Sequence, residues 1–390
     1  MRIAIAGTAN YPALNGQATF TENLTEALAR RGHEVLSIFP SEKGKPYNTL
    51  RHGVHIETLR SNNLNFIHPE SYFSLFSRRQ VGRILDDFQP QVVHIQDHYP
   101  VCIDVVSAAR RRGIKLIGTN HFMPENLAAY LPVVSLIKPF YRRVMWDLML
   151  MTFNKLDAAT AQSRAAAHLL KKQGLHIPIF PASCGLNLDR FFPDSGVDRV
   201  AVRSRFGLDP QAFLFLFVGR VDREKHLEVL LHAQRLLQRP GVQLAISGHG
   251  ADQKRLEALV AEMGMEQSVR FTGFVPRQDL PALLNSADVF CMPSEAELLS
   301  LASLEAMACA RPVLLADAVA LPELAVNGEN GYLFKPGDLV DAARCMTLLI
   351  DHPHDLSRMG QASLERARQH GMEATMQQYE TLYAGLVEAV

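Results

Sequence analysis

The stretch SEAELLSLASLEAMA, Ser294–Ala308, places three carboxylates in an otherwise apolar segment. Two of them, Glu297 and Glu305, are separated by seven residues, and Leu, Ala and Met surround them. The stretch follows an apolar run, Val289–Met292, that has the composition of a buried strand, and its own spacing predicts a helix over Ser300–Ala310. A helix that is apolar on all sides is buried, and a buried carboxylate needs a partner. Ligand binding therefore explains the two glutamates better than a solvated surface does.

Short apolar runs alternate with segments of helical spacing along both halves of the chain. In the first half, strands are predicted at Arg2–Ala6, His33–Phe39, Pro90–Ile95, Ile114–Gly118 and Leu156–Ala161, and helices at Phe20–Arg31 and Ser163–Gln173. After a turn-rich stretch, the second half has predicted strands at Phe213–Val218, Val242–Ser247, Val269–Phe271, Val289–Met292 and Pro312–Ala316. This alternation favours an α/β fold with parallel sheets. The final segment, Ser357–Val390, is helical in pattern throughout.

The length of the chain predicts two domains, because 390 residues exceed what one hydrophobic core usually supports. We place the first domain at residues 1–190 and the second at residues 191–371. The composition, 47% hydrophobic and 21% charged, is typical of a soluble globular protein. No uncharged apolar run reaches the ~18 residues of a membrane-spanning helix, and the opening MRIAIAGTANYP lacks the pattern of a signal peptide.

The cysteines are dispersed and form no CxxC pair. They are Cys102, Cys184, Cys291, Cys309 and Cys345. This usage favours a reducing, cytoplasmic compartment and buried inert thiols, and it argues against a structural zinc site.

The net charge of zero conceals a difference between the two halves. Residues 1–190 contain 22 Lys and Arg against 14 Asp and Glu, whereas the remaining residues contain 18 against 26. A basic first half suits an anionic partner such as a membrane surface or a phosphorylated acceptor. Solvated surface charge is the alternative explanation, and no nucleic-acid partner is expected.

Several motifs of common enzyme classes are absent or incomplete. Gly248 and Gly250 follow a predicted strand, but Gln253 stands where a dinucleotide fingerprint needs its third glycine. His94 and His98 have the spacing of a zinc motif but lie at a strand end and lack the glutamate that the motif requires. Neither a P-loop sequence nor a GxSxG nucleophile elbow occurs.

Two cations follow the predicted strand Phe213–Val218. Arg220 comes two residues after the strand, and Lys225 comes five residues later. The carboxyl end of a strand in an open α/β sheet is where ligands bind, and an Arg fork together with a Lys point charge suits a diphosphate. The alternative is a solvated loop, because residues 222–224 are also charged.

The helix predicted after Val289–Met292 offers a second anion site at its N-terminus, where free amides and the helix dipole favour phosphate. Glu297 would precede this helix and Glu305 would lie about two turns into it. Carboxylates accept hydrogen bonds from pairs of sugar hydroxyls. The spacing therefore allows one glutamate to hold a hexose and the other a ribose, with a diphosphate between them.

These segments resemble the family-4 retaining glycosyltransferases, which have the GT-B fold. The matching segments are Glu297-x7-Glu305, AMACARPVL, LPELAVNGENGYLF (Leu321–Phe334), Gly219-Arg220-x4-Lys225, VRFTGFVPRQDLPALLNSADVFCMPSE, GLNLDRFFP (Gly185–Pro193) and YPALNGQATFTENLTEALARRGHEV. They span nearly the whole chain. The resemblance implies two Rossmann-like domains that face each other across a cleft, with the C-terminal helix, 372–390, crossing back to the first domain.

The resemblance also implies roles for the residues of the donor site. Arg220 and Lys225 would bind the donor diphosphate, Glu305 the ribose and Glu297 the transferred sugar. The backbone amides that would complete the phosphate cradle are those of Leu299, Ser300 and Leu301. A first glycine loop, Asn15-Gly16-Gln17, would close over the donor from the other domain.

Two further residues match family positions. His121, in GTNHFMPEN, matches a histidine beside the reacting sugar, although a structural histidine is the alternative. Glu323 resembles a structural or donor-side position. Many family members have Phe-Gly where Leu298-Leu299 stand, so the resemblance leaves the hexose open, with UDP-glucose the expected donor.

The reaction implied by the resemblance is transfer of a hexose with retention of configuration. The transition state would resemble an oxocarbenium ion, and Arg220, Lys225 and the helix amides would stabilise the departing diphosphate. A front-face mechanism needs no enzyme nucleophile, so Glu297 is not assigned that role. No metal or other cofactor is expected, and domain closure would exclude water.

The acceptor must be inferred from the first domain. Ser71–Arg83 and Leu131–Leu156 combine aromatic and basic residues, as interfacial helices on anionic lipid do. For residues 144–151 we expect a core helix, and for the loop before them a lipid-facing segment. GTNHFMPEN and Asn15-Gly16 resemble the diacylglycerol glucosyltransferase branch, which implies a peripheral enzyme at the inner face of the cell membrane.

Two other functional hypotheses remain open. One is a transferase that acts on a soluble sugar, a sugar phosphate or another small acceptor. The other is a non-catalytic nucleotide-sugar-binding protein on the same fold.

Overall fold

The computed structural model describes residues 1–8, 16–63, 72–124 and 138–388. The chain divides into two compact units. The first unit comprises Met1–Gly185 together with Glu373–Val390, and the second comprises Leu186–Met372. Asn15 and the loop that precedes residue 138, which the sequence singled out, lie outside the described residues.

The first unit is built on a sheet of eight described strands in the order β10-β9-β8-β7-β1-β2-β4-β3. Neighbouring strands are parallel except for β3 and β4, which are antiparallel. The strands are β1 (Arg2–Ala6), β2 (Glu34–Pro40), β3 (Asn48–Arg51), β4 (Val54–Leu59), β7 (Val92–Ile95), β8 (Lys115–Asn120), β9 (Ala158–Ala161) and β10 (Ile179–Pro181). A separate antiparallel pair consists of β5 (Asn62–Asn63) and β6 (Tyr72–Phe73).

Helices follow most of these strands and cover the sheet. They are α1 (Gly16–Arg30), α2 (Arg78–Phe88), α3 (Pro100–Arg110), α4 (Lys138–Phe153) and α5 (Arg164–Gln173). The central strands β1, β2 and β7 are buried along nearly their whole length. Parallel strands covered on both faces are continuously apolar, which is why these runs were visible in the sequence.

The second unit is built on a parallel sheet of six described strands in the order β13-β12-β11-β14-β15-β16. The strands are β11 (Phe213–Val218), β12 (Val242–Ser247), β13 (Val269–Gly273), β14 (Val289–Met292), β15 (Val313–Ala316) and β16 (Gly331–Phe334). Its helices are α6 (Arg199–Arg205), α7 (Leu227–Leu237), α8 (Gln253–Glu262), α9 (Leu280–Ser286), α10 (Leu301–Ala308), α11 (Leu339–Asp351) and α12 (Leu356–Arg368). Short 3-10 helices occupy Arg223–Lys225, Leu321–Glu323 and Pro353–Asp355.

The final segment, which is helical in pattern throughout, forms two helices, and the second begins at Met372, where the resemblance places the C-terminal helix. α12 ends at Arg368, and a last helix, α13, occupies Met372–Glu388. Between them the backbone pairs with Leu186, whose N–H donates to the His370 carbonyl at 2.8 Å and whose carbonyl accepts from Met372 N–H at 2.9 Å. The helix is interrupted because these residues bond outside it.

Helix α13 belongs to the first unit, as the predicted fold requires. Arg31 pairs with Glu380 at 2.8 Å and with Glu373 at 2.5 Å. The Tyr383 hydroxyl, which is fully buried, hydrogen-bonds with Nδ1 of His94 at 2.8 Å. The α/β class, the two parallel-sheet units and the returning C-terminal helix are therefore confirmed.

Among the parallel strands of each sheet, the chain order reverses at one place. The reversal lies between β1 and β7 in the first unit and between β11 and β14 in the second. Ligands of open α/β sheets bind at the carboxyl ends of the strands beside such a reversal. Both switch points are therefore candidate binding sites.

Candidate active site

Arg220 is held in place by two carboxylates of its own loop. Its guanidinium lies 2.7 Å from Oδ2 of Asp222 and forms a second ion pair with Glu224. The Arg220 side chain is 41% exposed, whereas the Glu224 side chain is only 3% exposed. The buried carboxylate thus fixes one side of the guanidinium and leaves part of it accessible from solvent at the end of β11.

Glu224 is a site residue that the sequence reasoning counted only as a neighbouring surface charge. Burial raises its pKa, while the nearby Arg220 and Lys225 oppose that rise. Its Oε2 atom has no hydrogen-bond partner in the described part of the chain. The 3-10 helix Arg223–Lys225 turns this carboxylate inward. No periodic pattern of apolar residues in the sequence predicts so short a helix.

Lys225 and Glu297, which the sequence assigned to separate parts of the donor, lie together. Nζ of Lys225 is 2.6 Å from Oε1 of Glu297, and the two side chains are 14% and 13% exposed. The pair joins the loop after β11 to the loop after β14. Each charge thus positions the other at the switch point of the second sheet.

The N-terminus of α10 lies in the same loop region. Ser300 is the N-cap and accepts a hydrogen bond from the Ser303 N–H at 3.3 Å, so the helix begins at Leu301. The N–H groups of Leu299, Ser300 and Leu301 donate to no acceptor within the described residues. Unsatisfied first-turn amides and the helix dipole form an anion site, at the three positions that the resemblance implies.

Glu305 lies deeper in α10, near two arginines that the sequence reasoning left without a role. Burial raises the pKa of Glu305 to about 7, and the charges of Arg190 and Arg277 act against that rise. Arg190 comes from the segment before α6 and donates a hydrogen bond to the carbonyl of Arg277. Both arginines stand in segments that carried the family resemblance, which was the available signal for them.

The Gly248-His249-Gly250 segment has a packing role that accounts for its glycines. A Cβ on Gly248 would lie 1.9 Å from the Gly219 carbonyl oxygen, and one on Gly250 would lie 2.2 Å from that of Val221. The N–H of Val221 donates to the His249 carbonyl at 2.9 Å. These glycines let the loop after β12 support the loop that carries Arg220.

In the first unit, His121 is held on both ring nitrogens. Nε2 lies 3.0 Å from Oε1 of Gln96, and Nδ1 hydrogen-bonds with the Gln162 amide. Burial lowers the pKa of His121 to about 3, so the ring is neutral at physiological pH. The Phe20 ring packs against it at a centroid distance of 5.0 Å. These contacts orient a neutral imidazole at the end of β8.

Gln17 is bonded within its own unit, to an aspartate that the sequence reasoning did not identify. Its Nε2 donates to Oδ2 of Asp97 at 2.9 Å. The same carboxylate accepts from the N–H groups of Thr8 at 2.6 Å and Tyr99 at 2.9 Å. Asp97 thus ties the loop after β1 to the start of α1, whose first residue is the exposed Gly16.

Helix α4 has one buried apolar face and one exposed apolar face, so the prediction of a core helix over residues 144–151 is wrong for Val144, Leu148 and Met151. Trp146, Met149, Leu150 and Phe153 are buried. Phe140, Val144, Leu148 and Met151 are between 37% and 69% exposed. Within the described ranges, no helix has both the length and the apolar composition needed to cross a membrane.

The two sheets, the returning helix and the cations beside a helix N-terminus define a GT-B glycosyltransferase. Residues 198–366 match the family model described as Glycosyl transferases group 1, and residues 14–190 match that described as Glycosyltransferase Family 4. The chain is 31% identical over 307 residues to D-inositol 3-phosphate glycosyltransferase 2 of Catenulispora acidiphila, covering 75% of this chain and 71% of the relative. The chain therefore belongs to the family-4, group-1 glycosyltransferases.

Other similarities extend over most of the chain. The putative glycosyltransferase EpsD of Bacillus subtilis is 26% identical, with 80% of each chain covered. Among solved structures, sucrose-phosphate synthase from Thermosynechococcus elongatus has a TM-score of 0.81 at 21% identity, with 100% of both chains covered. Anabaena HepE in complex with UDP-glucose has a TM-score of 0.78 at 18% identity, with 98% of this chain and 100% of that chain covered. None of these four names includes diacylglycerol, so the resemblance to that branch gains no support from them.

Proposed function

We propose that the protein transfers a hexose from a nucleotide sugar to an acceptor hydroxyl with retention of configuration. The observation that carries this proposal is the meeting of Lys225, Glu297 and the free amides of α10 at the switch point of the second sheet. A lysine, an arginine and a helix N-terminus suit a diphosphate. Glu305, farther along α10, is available for the ribose hydroxyls, and UDP-glucose is the proposed donor.

The reaction breaks the bond between the anomeric carbon and the diphosphate oxygen and forms one between that carbon and the acceptor oxygen. The nucleoside diphosphate leaves, and one of its oxygens takes the acceptor proton. Lys225, Arg220 and the α10 amides stabilise the charge that develops on the leaving group. Glu297, already bound to Lys225, would contact the transferred sugar. The protein supplies these charges itself, so we expect transfer to continue in the presence of EDTA.

For the acceptor, we favour a small hydroxyl-bearing molecule such as a sugar, a polyol or one of their phosphates. The names of the relatives support this choice, since they include an inositol phosphate glycosyltransferase and a sucrose-phosphate synthase. The first unit would bind the acceptor, and the neutral His121 would lie beside the reacting sugar.

A membrane lipid is the second candidate acceptor. It is favoured by the exposed apolar side chains of α4 and by Phe76, which is 96% exposed beside the basic residues Arg78 and Arg79. Aromatic and aliphatic side chains next to arginines suit a peripheral contact with anionic lipid. A lipid acceptor would then be reached by attachment to the membrane surface.

The test is a mass-spectrometric transfer assay with UDP-, GDP- and ADP-hexoses. Glucose, inositol 1-phosphate and diacylglycerol in anionic liposomes serve as acceptors, and Glu297→Gln is compared with Glu295→Gln, a change in a neighbouring carboxylate. We expect one donor to yield a glycosylated product that only Glu297→Gln loses. Nucleotide binding without consumption of any donor would instead support a non-catalytic binding protein.

A further inference from the structure

Four buried polar atoms in the first unit have no hydrogen-bond partner within the described residues. They are Oγ of Ser74, Nε2 of Gln96, Nδ1 of His98 and Nε1 of Trp146. The four residues are at most 5% exposed. Native proteins contain few such groups, because burying a polar atom without a partner is unfavourable.

Ring contacts connect His98 and Trp146 through Phe122, and Ser74 and Gln96 lie close to this group of side chains in the chain. His98 stacks on Tyr99 and meets Phe122 edge-on, in both cases with centroids 4.7 Å apart. Phe122 in turn lies 6.0 Å from Trp146. On the other side, Tyr99 lies 5.8 Å from Phe73, the residue before Ser74.

Gln96 joins the group through the strand end that it shares with His98. Its Oε1 is bonded to His121, so its amide nitrogen is the part left without a partner. The group therefore surrounds the carboxyl ends of β7 and β8, next to the switch point of the first sheet.

The chemistry of the four atoms indicates what they would bind. The nitrogens of Trp146 and Gln96 can only donate hydrogen bonds, and the His98 nitrogen donates or accepts according to its tautomer. The nitrogens of Trp146 and Gln96 therefore require acceptor oxygens, whereas the His98 nitrogen and the Ser74 hydroxyl can bond to a ligand hydroxyl in either sense. The aromatic rings add an apolar wall, on which the non-polar face of a ligand can pack.

None of the four side chains supplies a fixed positive charge. Burial lowers the pKa of His98, so its ring is neutral. The neighbouring carboxylate of Asp97 accepts hydrogen bonds from Thr8, Gln17 and Tyr99. The group thus differs from the second unit, where two cations lie at the corresponding sheet edge.

We propose that Ser74, Gln96, His98 and Trp146 form the acceptor pocket and that it takes an uncharged molecule with hydroxyl or ester oxygens beside an apolar face. This inference rests on the proposed transferase function and narrows its acceptor. It favours a free polyol, a sugar or a diacylglycerol over their phosphorylated counterparts.

Trp146 provides a direct measurement, because it is the only tryptophan in the chain. The full-length protein is titrated with dioctanoylglycerol, inositol and inositol 1-phosphate while tryptophan emission is followed. We expect a saturable change with dioctanoylglycerol or inositol and none with inositol 1-phosphate. A response to inositol 1-phosphate alone, or to none of the three, would overturn the inference.

A variant separates ligand binding from a structural role. His98→Phe keeps a ring against Tyr99 and Phe122 but removes the nitrogen that has no partner. We expect at least about a tenfold loss of affinity with an unchanged or higher Tm, because an unpaired buried polar group is gone. The exposed His55 gives the control, His55→Phe, which changes neither quantity. A lower Tm with unchanged affinity would show that the His98 nitrogen serves the fold and would overturn the inference.

The same preparation distinguishes failure of this inference from failure of the proposed function. Slow release of nucleoside diphosphate from a nucleotide sugar, without added acceptor, depends on the second unit. Donor turnover without any change in tryptophan emission would contradict only the proposed acceptor pocket. If no nucleotide sugar is bound or turned over, the proposed transferase function itself would be contradicted.

Discussion

The switch points of the two sheets have the same architecture but differ in the charge of the side chains that follow their strands. In the second unit, Arg220 and Lys225 follow the central strand, and their carboxylate partners fix them there. In the first unit, the matching strand ends carry neutral groups, notably His98 and His121, beside the carboxylate of Asp97, which accepts hydrogen bonds within that unit. The same α/β architecture can thus bind either a charged or a neutral ligand, depending on which side chains follow its strands.

This difference indicates how the work of a transferase is divided. A leaving diphosphate needs fixed positive charge, which only the second switch point supplies among the described residues. An acceptor hydroxyl needs orientation more than charge, and in the acceptor pocket that we propose, hydrogen-bonding groups beside aromatic rings would provide it. Substitutions at each switch point would test this difference.

The largest expected effect follows from removing Lys225. Lys225→Met should lower the transfer rate by about 10²–10³, because one preorganised charge at the leaving group is lost. The control is Arg223→Met, which changes a 73% exposed cation two residues away and should leave the rate within twofold. Steady-state kinetics with the preferred donor measures both, and equal losses would contradict the assignment.

Glu305 should produce a pH-dependent effect. Burial raises the pKa of Glu305 from an ordinary 4.5 to about 7. At a pH between these two values, Glu305 is protonated in the folded protein and ionised in the unfolded chain. Stability should therefore fall as the pH rises from 4.5 to 7. Glu305→Gln should raise the Tm at pH 8 by about 2–4 °C, with little change at pH 4, while weakening nucleotide binding. Thermal melts across pH test this, and a Tm loss at pH 8 would contradict it.

A smaller effect is expected where α13 packs on the first unit. Tyr383→Phe would leave Nδ1 of the buried His94 without its 2.8 Å hydrogen bond. This should lower the free energy of unfolding by about 1–3 kcal/mol, measured by urea denaturation. Tyr332→Phe, in the other unit, is the comparison and should change it by less than about 0.5 kcal/mol. Similar values for the two variants would count against the buried bond.

The smallest effect on stability concerns the exposed face of α4. Leu148→Ser should change the free energy of unfolding by less than about 0.5 kcal/mol, since Leu148 is 47% exposed. Met149→Ser, one residue on and fully buried, should cost several-fold more. If the acceptor is a lipid, Leu148→Ser should also weaken cosedimentation with anionic vesicles. A large destabilisation by Leu148→Ser would show that this face is covered in solution.

The sequence predicted the buried parallel strands well because their apolar runs are continuous. The bounds of β1, β11, β12 and β14 are as predicted. It missed the hairpin of β3 and β4, whose outer strand is largely exposed and polar. The resemblance implied a separate helix from residue 372, but the helical pattern over Ser357–Val390 does not show the break before it, because that break depends on pairing with Leu186, a residue distant in sequence.

The site was predictable to the extent that its motifs are local. Spacing and resemblance indicated Arg220, Lys225 and Glu305, whereas the contact between Lys225 and Glu297 joins loops 72 residues apart. Asp97 and Glu224 carry no motif, and only folding shows that they organise the loops around them. Burial, which sets the pKa of Glu305 and His121, is likewise a property of the assembled units.

The central claim is that the charged switch point of the second unit binds the diphosphate of a nucleotide sugar. Isothermal titration calorimetry with UDP, GDP, ADP and the corresponding monophosphates tests it most directly, on the unaltered protein and on Lys225→Met. The account predicts that one diphosphate binds at least about tenfold more tightly than its monophosphate and that Lys225→Met abolishes this difference. Equal affinity for both forms, or a difference that persists in the variant, would contradict it.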